Sequence, residues 1–353
     1  MEHKREFEDL VEIVNQEGAS DLHLTAGRHP TIRVAGDLIP LVKKPVLSAD
    51  DTKGIIAEIL NEENRQIFFE KKELDFALTA RDGIRFRGNA FFQRGQIGAA
   101  FRLIPNKIRT LAELNLPERL ADFARREQGF FLVVGPVGQG KSTTLASLVQ
   151  MINLERAEHI ITIEDPIEYL FTGEQSIVDQ REVRFDTLDF HHALRSMFRE
   201  DVNVAMIGEM RNPETISTAV TAAETGHLIF STLHTNSASQ TIDRIIDSFP
   251  GNQQNQIRIQ LAGSLLGIFS QRLVPRVAGG LYPVYELLIN NNAVANLIRE
   301  GRTAEIDVVI ETGAEEGMVA LNHSLAEMVR TGEITQETAY RYALNPKALS
   351  RML

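Results

Sequence analysis

Eight residues constrain this chain more than anything else in it. Gly135-Pro136-Val137-Gly138-Gln139-Gly140-Lys141-Ser142 reads G-x-x-x-x-G-K-S, the loop that wraps the phosphates of a nucleoside triphosphate. The glycines let backbone N–H groups point inward, where a Cβ would block the approach. Lys141 brings positive charge to the phosphates, Ser142 offers its hydroxyl to Mg²⁺, and Thr143 extends the candidate ATP contacts into the first helical turn. The flanks agree. Residues 130–134 are an apolar run that predicts a buried strand, and Leu145, Leu148, Val149 and Ile152 recur at helical spacing. That helix turns its N-terminus toward the phosphates. A chance glycine-rich turn would lack this strand–loop–helix frame.

Further apolar runs at 159–163, 204–207 and 227–232 alternate with helical segments, the pattern of a parallel sheet with crossover helices. After Tyr285 the pattern predicts helices alone, amphipathic at 293–299, 321–330 and 336–343. The first 104 residues read differently. Phe7, Leu10, Val11 and Val14 give a helix that Gly18 stops, and short strands are expected at 21–24, 31–34, 76–79, 85–92 and 98–104. Ser48-Ala49-Asp50-Asp51 predicts the N-cap of a helix reaching about Leu60. This is a small α+β domain. Pro105, Asn106 and the stretch 111–117 predict a linker over 105–119. A chain of 353 residues has room for two such domains.

Three other segments carry chemistry. Ile160-Ile161-Thr162-Ile163-Glu164-Asp165-Pro166 puts two carboxylates at the C-terminal tip of a strand, where open α/β sheets place their ligands. Glu164 is the candidate base for a water attacking a γ-phosphate, with a solvated acidic turn as the plain alternative. In Asn203-Val204-Ala205-Met206-Ile207-Gly208-Glu209-Met210-Arg211, Gly208 stands where phosphate-loop proteins carry a magnesium-binding Asp. Glu209 is then the candidate metal contact, directly or through water, and pairing with Arg211 is the alternative. The stretch 223–235 holds His227 and His234. Seven residues along a strand span about 23 Å at ~3.3 Å each, so the two cannot share one ion. His234, at the phosphate end, is a candidate γ-phosphate sensor or subunit bridge; His227 is at the opposite end.

Composition narrows the function classes. The net charge is −11, which argues against a surface built for nucleic acid. Cysteine is absent, excluding a disulfide framework or zinc ribbon and fitting a reducing cytoplasm. The charged N-terminus lacks the apolar core of a signal peptide, and the runs 130–134 and 261–269 fall short of the ~18 residues of a membrane span. Residues 81–102 stand out, with Arg81, Arg85, Arg87, Arg94 and Arg102 against Asp82 alone. Arg85 and Arg87 share one face of a strand. Arginine without lysine favours planar, bidentate phosphate recognition; a solvated face paired with acidic neighbours is the alternative.

In this order the elements resemble the secretion-type hexameric ATPases, and within them the type IV pilus retraction (PilT-like) group. Residues 161–169 resemble that family's Asp box, 207–211 its atypical Walker B and 222–235 its His box. Gly18-Ala19-Ser20-Asp21-Leu22-His23-Leu24, Arg85-Phe86-Arg87 and Phe101-Arg102-Leu103-Ile104-Pro105 resemble its N-terminal domain. Ala293-Val294-Ala295-Asn296-Leu297-Ile298-Arg299-Glu300 is close to the AIRNLIRE motif. The resemblance implies an α/β, RecA-like ATPase domain over 120–353 with a helical region from about 286, preceded by a PAS-like α+β domain over 1–104. It implies a homohexamer that binds ATP and Mg²⁺ and drives pilus retraction and twitching motility. Its place would be the cytoplasm, peripheral at the inner membrane, against a platform protein and the pilus machinery, without nucleic acid. It also lands on Arg87 and Arg102 as groups that complete a site between subunits.

Val137 and Gln139 stand where the family has Thr and Ser, and Val294-Ala295 where it has Ile-Arg. Main motor and accessory retraction paralogue both stay open, as does a ring component that binds ATP but barely turns it over. Assembly ATPases of the superfamily usually add an N-terminal domain and a four-cysteine zinc site. A RecA-like nucleic-acid motor would need a basic, aromatic-rich stretch that is lacking.

Overall fold

The computed structural model describes residues 2–34, 36–80, 83–105, 107–210 and 212–353. Arg81 and Asp82 of the arginine-rich stretch, Asn106 of the expected linker, and Arg211 lie outside the described residues. By internal packing the chain divides into two units, residues 1–107 with 168–170, and residues 108–167 with 171–353.

The first unit runs α1 (Glu2–Gln16), β1 (Asp21–Thr25), β2 (Thr31–Val34), β3 (Asp37–Pro40), α2 (Ala49–Ile59), α3 (Glu62–Lys71), β4 (Glu73–Thr79), β5 (Arg85–Gln93) and β6 (Gln96–Ile104). Its strands form one antiparallel sheet in the order β3-β2-β1-β6-β5-β4. Strand alternation sends Leu22, Leu24, Phe86 and Phe101 to one face, where they bury with Phe7, Leu10 and Val14 of α1 and Ile55 and Ile56 of α2. Phe7 and Phe101 meet with ring centroids 4.9 Å apart. The expected capping box starts α2, Ser48 Oγ accepting from Asp51 N–H and Asp51 accepting from Ser48 N–H.

The second unit runs α4 (Leu120–Ala124), β7 (Gly129–Val134), α5 (Lys141–Glu155), β8 (His159–Glu164), β9 (Ile177–Glu182), α6 (Phe190–Met197), β10 (Val204–Ile207), α7 (Pro213–Glu224), β11 (Leu228–Leu233), α8 (Ala238–Asp247), α9 (Gly251–Ser264), β12 (Leu265–Pro275), β13 (Leu281–Ile289), α10 (Asn292–Glu300), α11 (Ile306–Thr312), α12 (Leu321–Arg330), α13 (Gln336–Tyr342) and α14 (Pro346–Leu349). Seven strands pair in the order β13-β12-β7-β11-β10-β8-β9, all parallel except β13 against β12. Alternate residues of β7 feed two cores. Phe130, Leu132 and Val134 pack with α6 to α10, while Phe131 and Val133 pack with α4 and α5. A third cluster joins Val274 and Val284 to Leu321, Leu325 and Leu349. Among the described residues no helix is long and apolar enough to cross a membrane.

Two expectations need correction, and one arginine of the 81–102 stretch finds its place. The chain after Tyr285 is not helical at once, because β13 continues to Ile289 with Leu287 and Leu288 both buried; helices begin at Asn292. The expected linker is largely packed, with Leu111 and Leu116 buried in the core beside α4. Arg94 is not on a strand face: it sits at φ 50° with Gly95 at φ 76° in the two-residue turn between β5 and β6.

Candidate nucleotide-binding site

All six residues of β7 are buried, and the chain leaves the strand at Gly135, φ 146°. A Cβ there would collide with the Gln271 carbonyl oxygen, so only glycine makes this exit. Gly138 and Gly140 hold φ of 77° and 79°, and Gly140 begins α5 with no side-chain cap. No side chain therefore stands between the start of α5 and an anion cradled by the loop.

Register brings the other motifs to the same edge. Val134 pairs with Leu233, Ser231 with Ile207, and Ile207 with Ile163. Gly135, His234, Gly208-Glu209 and Glu164 follow these residues, so the ends of four parallel strands carry all four elements read from the sequence. The Lys141 side chain is buried and folds back over the loop, donating to the Gly135 and Pro136 carbonyls at 2.9 Å each. Its Nζ also stands 3.1 Å from His234 Nδ1. An ammonium only donates, so Nδ1 is the acceptor in this contact. Nε2 is 3.8 Å from Glu209 Oε2, so the imidazole stands between the loop lysine and Glu209.

Glu164 is buried at the end of β8, and its Oε1 accepts from the Thr162 hydroxyl at 2.7 Å and from Gln180 Nε2 at 3.4 Å. Its register partner on β9 is another buried carboxylate, Glu182, whose Oε2 accepts from Ile167 N–H at 3.2 Å. Nothing in the local sequence around Glu182 signals this; only the pairing of β9 with β8 does. Among the described residues no group of three or more His, Asp or Glu side chains is placed to hold a metal. Magnesium at a phosphate loop needs only one or two protein oxygens, and the Ser142 hydroxyl and the Glu209 carboxylate suit that role.

Two neighbours of the loop escaped sequence reading. Gln271, buried on β12, accepts from the Thr144 hydroxyl at 2.6 Å and donates to the Gln139 carbonyl at 2.9 Å. Arg109, Leu114 and Leu116, from the expected linker, line a recess of about 80 Å³ with Gly140, Thr143, Thr144, Gln271, Leu273 and Pro283. His227 lies at the far end of β11, its Nδ1 3.0 Å from the Ala222 carbonyl and its ring edge-on to Phe198.

Arg87 and Arg102 belong to the first unit. They are exposed register partners on the sheet face away from its helices, in a row that runs Arg33, Asp21, Arg102, Arg87. Asp21 ties this row down, 3.0 Å from Arg102 Nε and 3.9 Å from Arg33 Nε.

The model of the family described as type II/IV secretion system protein matches residues 5–342. The chain is 43% identical to the type IV pilus retractation ATPase PilT of Pseudomonas aeruginosa, over 96% of this chain and 98% of that protein. It is 41% identical to the type IV pilus ATPase PilU of the same organism, over 99% of this chain and 91% of that one. A crystal structure of the pilus retraction motor PilT with bound ADP shares 44% identity, covers 98% of each chain and gives a TM-score of 0.92. The second unit thus has the RecA-like fold of the secretion ATPases. A match of this length places the chain in the type II/IV secretion system protein family.

Proposed function

We propose that this protein is a pilus-retraction motor that hydrolyses ATP to depolymerise pilin and power twitching motility. The observation that carries the reading is the near end-to-end likeness to PilT, with the four site elements converging on one sheet edge. The first unit is a PAS-like domain, and six copies form a ring in the cytoplasm, peripheral to the inner membrane, that acts on a platform protein of the pilus machinery.

The triphosphate lies along residues 135–143, with the recess beside Gly140 and Thr143 on its ribose and base side. Lys141 exchanges the Gly135 and Pro136 carbonyls for phosphate oxygens, which releases His234 to face the γ-phosphate. Ser142 and Glu209 would hold Mg²⁺, the latter directly or through water, and the ion would supply positive charge against the phosphates. Glu164, held at Oε1 by Thr162 and Gln180, accepts the proton of the attacking water. Arg87 and Arg102 of a neighbouring subunit meet the transferring phosphoryl group.

The test is a pair of measurements on one variant. Lys141→Ala should lose both nucleotide binding and ATP turnover, and fail to restore twitching to a strain lacking the gene. Near-normal nucleotide affinity in that variant would count against the loop as the site.

A second reading, an accessory motor that works beside a principal one, has its own support. The likeness to PilU is nearly as close as to PilT. In α10 the residues standing where the retraction motif has Ile-Arg are the buried Val294 and Ala295, so the arginine is missing. Twitching restored by this chain alone supports a principal motor, and twitching restored only with a second retraction ATPase supports an accessory one.

A further inference from the structure

Beyond the end of β7, strand β12 has no strand partner on that side among the described residues: the last pairing is Ser270 with Val134, yet β12 continues to Pro275. A backbone donor on that flank must find its partner elsewhere. For the Leu273 N–H the phosphate-binding loop supplies it. Gln139 Oε1 accepts from the Leu273 N–H at 2.7 Å, taking the place of a missing strand. In return Gln271 Nε2 donates to the Gln139 carbonyl at 2.9 Å, and Gln271 Oε1 accepts from Thr144 on the first turn of α5 at 2.6 Å. Two glutamines therefore bolt both sides of Gly140 to β12. Gly140 fits because a Cβ there would lie 2.9 Å from Gln271 Nε2. A serine at position 139, the residue usual in the resembled family, is too short to reach the Leu273 N–H in this way.

We propose that the Gln139 and Gln271 side chains are positioning residues that hold the loop in its nucleotide-ready shape. They act through the loop backbone and touch no phosphate. The inference rests on the reading that residues 135–143 bind ATP. A loop already held in shape loses less conformational freedom when the triphosphate arrives, so its contribution is read in affinity. Once the phosphates are bound they order the loop themselves, and the chemical step is left to Lys141, Glu164 and Glu209.

The experiment measures the Kd for a fluorescent ADP, and KM and kcat for ATP, in the full chain and in Gln139→Met, Gln271→Met and Lys141→Ala. Each neutral hydrogen bond lost should raise Kd by about 5-fold. Gln139→Met, losing one, should show about 5-fold, and Gln271→Met, losing two, about 25-fold, with KM rising in parallel and kcat moving less than about 2-fold. Gln139 is half-buried and its side chain holds a single hydrogen bond, so its variant, shown to be folded by circular dichroism, decides the matter even if Gln271→Met does not fold. Lys141→Ala separates the two layers of the argument. If it loses ADP while Gln139→Met binds as tightly as the unaltered chain, the positioning role is overturned and the site stands. If kcat falls and KM does not move, the glutamines act in the chemical step and the proposal is likewise overturned. If Lys141→Ala still binds ADP, the site reading fails and the proposal with it.

Discussion

Replacing Glu286 by glutamine should stabilise the protein, and the gain should grow as the pH rises. Glu286 is buried on β13, and burial pushes its carboxyl from an ordinary value of 4.5 up to about 7. Asp307 adds to the rise; the Ala238 N–H, which donates to Oε1 at 2.7 Å, and the charge on Arg272 oppose it. A folded-state value above the unfolded one means that the folded protein holds this proton more tightly. The group's contribution is therefore complete below about pH 4.5 and is lost as the pH climbs through about 7. A difference of roughly 2.5 pH units at 1.36 kcal/mol each is about 3 kcal/mol. Glutamine keeps an oxygen for the Ala238 N–H and has no proton to lose. Urea unfolding followed by circular dichroism, at intervals from about pH 5 to about pH 8, gives the stability difference between the two proteins, in which all other titrations cancel. The difference should shift by up to about 3 kcal/mol in favour of the variant across that range. Parallel curves would show that Glu286 does not titrate there and would falsify the argument.

Other expectations concern the site. Glu164→Gln should bind nucleotide nearly as well as the unaltered chain and turn over about 10²–10⁴-fold more slowly, since an amide takes no proton; Glu209→Gln should instead weaken the Mg²⁺ dependence, and reversed phenotypes would exchange the two roles. Thr162→Val removes the 2.7 Å hydrogen bond to Glu164 Oε1 and should lower kcat without changing the Kd for ADP; an equal rise in Kd would mean that Thr162 acts on binding. Arg87→Ala and Arg102→Ala should assemble and bind ATP but lose about 10³–10⁵ in rate. Rings mixed from Arg87→Ala and Glu164→Gln subunits should regain some hydrolysis, because some interfaces then pair an intact Arg87 with an intact Glu164. No recovery in rings shown to be mixed leaves an arginine acting within its own subunit, or a ring stalled by one bad member; doping with wild-type subunits tells these apart.

Periodicity reads well where one face is buried and badly where it is not. The helix through Phe7, Leu10 and Val14 and the strand ending at Val134 are legible because every core position is apolar. β3 went unread because all four of its residues are exposed, so no alternation marks Asp37–Pro40 as an edge strand. α3 buries only Phe68 and carries little helical stripe, although Asn61 caps it. β13 shows the opposite failure. Tyr282, Val284 and Glu286 face one way and Tyr285 and Leu287 the other, and both faces are covered near its end. A short apolar run buried on both sides does not distinguish strand from helix. The stretch 111–117 carries Glu113, Asn115 and Pro117 in view, while Leu111 and Leu116, which pack it down, look like ordinary loop residues.

The site follows the same logic at the level of chemistry. Glu164, Glu209 and His234 are legible because each stands at the end of a buried strand, and Lys141 because its loop follows another; parallel strands must end at one edge. The residues that hold them announce nothing. Thr162 reaches Glu164 from the same strand, while Gln180 reaches it from β9 and Gln271 reaches the loop from β12, through pairings that no local motif encodes. The arginine row shows why residue type alone misleads. Five arginines in 22 residues suggested one phosphate-facing strip. The fold sends Arg94 into a turn and gives Arg102 an aspartate 81 residues earlier in the chain. Gln139 is the converse case. A motif written with x at that position asks no phosphate contact of the side chain, and Gln139 makes its contact with the strand beside the loop instead, which the motif does not describe.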